Sequence, residues 1–116
     1  KNALQENSKN HVIIEDIVES CHNGIVAWER KSNVQPIFIK GADDHIKTNE
    51  KNKILKEYFQ ENKIEYREII SCKGDILSKI INLAYVLDYC SIYKAVLTKT
   101  DPTPVRSIEF IKKRIK

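Results

Sequence analysis

The feature that most constrains the fold is the alternation of short apolar segments with longer amphipathic ones. Three short segments are rich in β-branched or aromatic residues and predict strands: "HVIIED" at 11–16, the apolar core of "QPIFIKGADD", and "IEYREII" at 64–70. Amphipathic segments follow each of them. Nearly continuous apolar strands that alternate with helices favour an α/β fold with a parallel sheet covered on both faces.

Two long helices are predicted after the second and third strands. The first spans about 46–62, and its apolar positions share one stripe: Ile46, Ile54, Leu55, Tyr58 and Phe59. The second spans about 75–97, and its helical period places Asp88 and Ser91 on the apolar side. A carboxylate there must be hydrogen-bonded, paired or at an interface, because an unpaired buried charge is very costly.

Shorter helices complete the pattern. The opening segment "KNALQENSK" reads as a helix, and Ser20 resembles the N-cap of a helix that runs through Trp28. The segment "DPTPV" ends the long helix and starts the last one, with Asp101 or Thr103 as the cap and Pro104 in the first turn. The predicted order is α-β-α-β-α-β-α-α.

Composition narrows the class of protein. The chain has 116 residues, of which 41% are hydrophobic and 31% charged, and this composition predicts one globular domain and argues against disorder. The net charge is +4, and much of the excess lies in the final "KKRIK". That tail is short and lacks neighbouring aromatic residues, so nucleic-acid binding is not expected.

The polar residues within the apolar stretch and the cysteine pattern indicate where in the cell the protein is expected. The longest apolar stretch is interrupted by Asp75, Lys79, Asn82, Asp88 and Lys94, so a membrane span is not expected. Cys21, Cys72 and Cys90 are odd in number and lack metal-ligand spacing, which indicates free thiols in a cytoplasmic protein. No metal or organic cofactor is predicted.

Candidate functional residues lie at the start of the chain, after predicted strands and after the long helix. Ligands of a parallel sheet bind beyond the carboxyl ends of its strands. Residues 6–9 open the chain, His22 with Asn23 and residues 43–45 follow the first and second predicted strands, and residues 99–103 follow the long helix. No nucleotide-binding or hydrolase motif is present. A carboxylate, a histidine and lysines suit proton transfer beside a carbonyl, but each also has an ordinary surface or capping role.

Four separated motifs resemble one family. In order they are "QENSK", "CHNGIVAWE", "LDYCSIYKAVLTKTDPTPV" and "IEFIKKRI", and they resemble the C-terminal part of bifunctional phosphoglucose/phosphomannose isomerases. The resemblance covers residues 5–115. It implies that residues 1–116 are most of the C-terminal sugar isomerase (SIS) domain of an enzyme with two such domains, a three-layer, doubly wound α/β/α fold of flavodoxin-like topology.

The resemblance also implies roles for three residues. Glu6 matches the glutamate that moves a proton between sugar carbons 1 and 2 through a cis-enediol. His22 matches the histidine that opens the hexose ring in the active site of the partner subunit of a dimer. Lys112 matches a lysine that assists at the sugar oxygens, where a cation stabilises the developing negative charge.

The implied substrates are glucose 6-phosphate or mannose 6-phosphate and fructose 6-phosphate. The family's phosphate-holding loops lie upstream of the matched region, so we expect the isolated chain to be inactive. Gln5, Gly24 and Ala27 depart from the family pattern of Asn, Glu and Gly at these positions.

Two competing hypotheses remain open from the sequence. The first is a non-catalytic SIS-type module for sugar-phosphate binding or dimerisation. The second, weaker one is a basic tail that contacts nucleic acid, which would bind in a strongly salt-dependent way.

Overall fold

The computed structural model describes residues 1–115, and its elements alternate helices with two short strands. In chain order these are α1 (Asn2–Asn7), α2 (Ile17–Ser20), a 3₁₀ helix (Gly24–Glu29), β1 (Ile37–Lys40), α3 (Ile46–Glu61), β2 (Arg67–Ile70), α4 (Ile76–Leu97) and α5 (Arg106–Lys112). The predicted opening helix, both long helices and the second and third strands are confirmed, with the third strand shorter than predicted.

The two strands pair in parallel, joined by α3 as the crossover helix. Ile37 lies opposite Arg67, and Lys40 lies opposite Ile70. A parallel pair needs such a crossover, because its strands cannot be joined by a tight turn. This confirms a mixed α/β chain with a parallel sheet. The sheet among the described residues has two strands, so the larger doubly wound arrangement stays a prediction.

The first predicted strand is wrong. Residues 11–16 form neither helix nor strand, and Ile13 and Ile14 are 80% and 67% exposed. β-branched residues favour extended backbone, but a strand forms only where a neighbour accepts its hydrogen bonds. No other described strand pairs with this segment.

Two helix starts also differ from prediction. The helix predicted after Ser20 forms as the 3₁₀ helix Gly24–Glu29, whereas Ser20 is the last residue of α2 and not a cap. Asp16 caps α2, because its Oδ1 accepts hydrogen bonds from the backbone N–H groups of Val18 (2.8 Å) and Glu19 (3.1 Å). Helix α5 begins at Arg106 without a side-chain cap. Asp101 instead closes the preceding turn by accepting a hydrogen bond from Thr103 N–H at 2.9 Å.

Residue contacts divide the chain into two compact units. The first unit contains residues 1–13 and the residues from Ala84 onward, and the second contains residues 14–83. Helix α4 contributes to both.

An aromatic cluster forms the core of the second unit. Leu55 and Phe59 of α3 are buried, and Phe59 lies 5.2 Å from Trp28 and 5.7 Å from Phe38 between ring centroids. Tyr66 closes the cluster at 5.3 Å from Phe38. Aromatic rings bury large apolar areas, so this cluster holds α3 against the sheet. Ile46 and Ile54 are exposed, so the predicted stripe on α3 is only partly buried.

The first unit packs around the second half of α4. Ser91 and Ala95 are completely buried, whereas Asp88 is exposed. The burial of Ser91 is therefore confirmed, Asp88 is not buried, and a role of Asp88 at an interface stays a prediction. The two residues differ because Ser91 faces helix α1 and accepts a hydrogen bond from Asn7, whereas the Asp88 side chain is exposed to solvent.

Within the described residues, α4 is long and apolar enough to cross a membrane by length and composition alone. The core helix of a soluble protein satisfies the same criteria, so this finding is weak evidence for a span. Lys79, Asp88 and Lys94 interrupt its apolar sequence.

Candidate active site

Glu6 lies on α1 with its side chain exposed, and the neighbouring Asn7 anchors the helix. Asn7 Nδ2 donates a 2.7 Å hydrogen bond to Ser91 Oγ, and Ser91 Oγ donates a 2.6 Å bond to the carbonyl of Asp88. Ser91 is fully buried, and its hydroxyl both accepts and donates a hydrogen bond inside the first unit, as a buried polar group requires. This chain of bonds ties α1 to α4.

Ser8 fixes the end of α1. It is buried, its Oγ donates a 2.7 Å hydrogen bond to the carbonyl of Leu4, and its N–H donates to the same carbonyl at 3.2 Å. The N–H of Asn10 also donates to Leu4 at 3.2 Å. The last carbonyls of a helix lack partners within it, and these bonds supply one.

Lys9 completes the motif. Its Nζ donates hydrogen bonds to the carbonyls of Glu6 (2.6 Å), Pro104 (2.8 Å) and Pro102 (3.3 Å). In "QENSK", the asparagine, serine and lysine therefore hold the backbone, while the glutamate side chain stays exposed. Sequence reasoning assigned a function to residues 6–9 but missed these structural roles, because Ser91, Pro102 and Pro104 are more than 80 residues away in sequence.

Lys112 lies in the last turn of α5, exposed, and belongs to the same unit as Glu6. Among residues 1–115, all the ion pairs lie within residues 14–83. Glu6 and Lys112 therefore form no ion pair with another described residue, and both side chains are exposed to a ligand.

His22 lies in the second unit, in the turn that follows α2, and its side chain is exposed. Its backbone N–H donates to the carbonyl of Glu19 at 3.0 Å. Asn23 Nδ2 donates to Glu19 Oε1 at 2.7 Å. Short-range bonds thus shape the loop around His22. The structure brings Glu6 and Lys112 into one unit and places His22 in the other.

Gly24 follows His22 where the family pattern has a larger residue. It is buried, and a Cβ at this position would lie 2.1 Å from Glu15 Oε2. Ser20 Oγ donates a 3.2 Å hydrogen bond to the same oxygen. The glycine lets the Glu15 carboxylate lie against the start of the 3₁₀ helix, and a larger residue would displace it.

The polar residues after β1 have structural roles. Asp44 Oδ2 accepts a hydrogen bond from Gly41 N–H at 2.9 Å, and His45 Nδ1 accepts one from Lys47 N–H at 3.2 Å. Asp43 is paired with Lys79, and this hydrogen bond lowers the pKa of the Asp43 carboxyl. These contacts stabilise the loop that leads into α3.

Ser71 is a structural residue that sequence reasoning missed. It is buried at the carboxyl end of β2, where its Oγ accepts a 3.1 Å hydrogen bond from Ala42 N–H and donates a 3.0 Å bond to Cys72 O. It joins the segments that leave the two strands. A lone serine after a strand carries no sequence signal for such a role.

The sequence matches the family described as "Bacterial phospho-glucose isomerase C-terminal SIS domain" over residues 1–115. The chain belongs to this family. The resemblance of its four motifs is therefore confirmed.

Two curated relatives are similar to the chain. It is 29% identical to the bifunctional phosphoglucose/phosphomannose isomerase of Caldicellulosiruptor bescii over 99% of the chain and 35% of that protein. It is 24% identical to the protein of the same name in Aquifex aeolicus, over 100% of the chain and 37% of that protein. The chain thus spans just over a third of the length of these relatives. No solved structure matches it significantly.

Proposed function

We propose that this chain is the C-terminal SIS domain of an enzyme that interconverts glucose 6-phosphate or mannose 6-phosphate with fructose 6-phosphate. The observation that carries the proposal is the "QENSK" segment. Three of its side chains hold the backbone, while the Glu6 carboxylate is exposed and makes no hydrogen bond with any of residues 1–115. A segment fixed in this way presents a free carboxylate on a rigid support.

In the proposed reaction, the Glu6 carboxylate removes the proton from carbon 2 of the open-chain aldose and returns it to carbon 1. A proton moves between the two hydroxyl oxygens, so a cis-enediol connects aldose and ketose. Lys112 supplies a cation that stabilises negative charge on these oxygens in the transition state. A general base of this kind works best when its pKa lies near the operating pH.

His22 opens the hexose ring in this proposal, acting on the sugar held by the partner subunit of a homodimer. Its imidazole suits the task because a histidine gains and loses a proton near neutral pH. The exposed His22 side chain is compatible with a role toward another subunit. The groups that hold the phosphate are expected outside these 116 residues, and no cofactor takes part. We expect the enzyme to act in the cytoplasm.

The test is Glu6→Gln in the complete polypeptide, with Glu109→Gln as the matched control on exposed α5. Loss of the base should lower kcat by about 100-fold or more, because general acid–base catalysis contributes roughly that much. The control should keep its activity. The measurements are conversion of fructose 6-phosphate and exchange of the carbon-bound proton with D₂O. A Glu6→Gln enzyme that exchanges this proton at the normal rate would refute the assignment.

The second candidate is a non-catalytic module for sugar-phosphate binding or dimerisation. It is favoured by the apolar surface of α4, where Ile76, Ile80 and Leu97 are 72%, 57% and 80% exposed. Such a surface indicates a contact with another part of a protein. Sugar-phosphate binding and dimerisation without any conversion or proton exchange would favour this candidate.

A further inference from the structure

The backbone at Lys9 adopts a conformation that a lysine rarely takes. Its φ is 55°, in the left-handed region, which only Lys63 and Lys99 share among the non-glycine residues described. Such a conformation is strained for a residue with a Cβ, and it persists when surrounding contacts compensate the strain. At Lys9 the turn directs the ammonium group back over its own helix.

Three carbonyl groups converge on that ammonium. One belongs to Glu6, and the other two belong to Pro102 and Pro104, more than 90 residues away in the chain. An ammonium group has three donors, so this arrangement can satisfy all of them. Neither proline has an N–H to donate to a neighbouring strand, and the Lys9 ammonium donates to the carbonyls of both.

The two tethered segments carry proposed catalytic groups. The Glu6 carbonyl belongs to the residue proposed as the base, and the prolines lie in the turn that enters α5, the helix of Lys112. Asp101, in the same turn, has its pKa lowered, first by the backbone N–H of Thr103 and, to a lesser extent, by the charge of Lys9. The cation therefore acts on the backbone of both segments within one unit.

We propose that Lys9 is a positioning residue that sets the location of the Glu6 carboxylate relative to the turn before α5. This role rests on the proposed function of Glu6. Lys9 takes no part in proton transfer, because its donors are occupied by backbone carbonyls. A displacement of about 1 Å in a reacting group can cost about 100-fold in rate, so loosening this tether should reduce turnover.

The test is Lys9→Asn in the complete polypeptide. Asparagine tolerates the left-handed conformation, so the variant keeps the backbone preference and removes the ammonium. The matched control is Lys99→Asn. Lys99 has a φ of 52° in the same unit, and its side chain donates to none of the described residues. We expect Lys9→Asn to lower kcat by roughly 30-fold and to change KM by less than about 3-fold, with the control unchanged.

Hydrogen–deuterium exchange provides a readout that does not require activity. The amides of Asn10 and Thr103 are hydrogen-bonded in the tethered segments, and both should exchange faster in Lys9→Asn but not in Lys99→Asn. If Lys9→Asn does not fold, Lys9→Met, which keeps the length and apolar stem of lysine, replaces it.

The outcomes separate the two proposals. If the amides of Asn10 and Thr103 exchange faster in Lys9→Asn but kcat is unchanged, the positioning role is overturned, and Lys9 has only a structural role. Unchanged exchange at both amides would overturn the tether itself. If the wild-type protein converts no sugar phosphate, or Glu6→Gln retains its activity, the proposed function fails, and exchange still decides whether the tether exists.

Discussion

The segment around Glu6 and the segment around His22 are held in different ways. Asn7 and Lys9 bond to Ser91 and Pro104, which are 84 and 95 residues distant in sequence. The turn at His22 relies mainly on bonds within a few residues, from Asp16 and Glu19. A long-range tether places a side chain relative to a distant element, whereas a local cap fixes only the shape of its own turn.

The largest expected effect comes from breaking the long-range tether at its buried end. Ser91→Val removes the acceptor of Asn7 Nδ2 in a completely buried site and adds volume there. We expect a loss of about 2 kcal/mol in the free energy of unfolding, because a buried polar group without a partner is costly. Urea unfolding of the complete polypeptide measures it. Ser107→Val, on the exposed face of α5, serves as the control. Equal free energies of unfolding for the two variants would show that the hydrogen bond between Asn7 and Ser91 does not stabilise the fold.

A smaller effect should follow from weakening the local cap. Asp16→Ala removes the side chain that accepts from Val18 and Glu19, and caps of this kind contribute about 1 kcal/mol. Hydrogen exchange should accelerate in residues 18–22 while the amide of Asn10 keeps its protection. Asp16→Asn, which retains an acceptor, should restore most of the protection. If Asn10 also loses protection, the local character of the His22 turn is wrong.

The smallest effect concerns acid pH. The pKa of Asp101 is lowered, chiefly by the backbone N–H of Thr103, and the pKa of Asp75 is lowered, chiefly by the backbone N–H of Ser78. A carboxyl whose pKa is lower in the folded state stabilises the fold above its ordinary pKa, and this contribution disappears as the pH falls through the folded-state value. Stability should therefore decline below about pH 4.

Asp101→Asn removes the titrating carboxyl from the turn next to Lys9, and Asp75→Asn removes the one at the start of α4. Each variant should therefore lose less stability than the wild type as the pH falls. Thermal unfolding between pH 2 and pH 6 measures both. Because both carboxylates are exposed, each change should be slight, and an unchanged pH profile in both variants would remove these groups as its cause.

Local patterns predicted the long helices well. The stripe around Leu55 and Phe59 and the predominantly apolar sequence of 76–97 extend over several helical turns, so neighbouring residues alone specify these helices. The same reasoning failed at 11–16, where a β-branched run lacks a paired neighbour among the described residues. It also did not distinguish Asp88 from Ser91, since the two share a helix side by period, yet Ser91 is buried and Asp88 is exposed.

The candidate site was predicted in its residues but not in its support. Glu6, His22 and Lys112 were selected because their surrounding motifs resemble a family, and family membership is confirmed over residues 1–115. Their roles remain proposals. Nothing in the local sequence indicated that Lys9 would reach two prolines, because a lysine followed by polar residues usually reads as a solvated charge.

The sequence alone determined the α/β character, the two long helices and the family, because these depend on periodicity and on motifs that are contiguous in the chain. Only the tertiary structure decided which polar side chains are anchors and which stay free. Hydrogen bonds such as Asn7 to Ser91 join residues 84 positions apart, and their formation depends on how the helices pack. No local pattern encodes that distance.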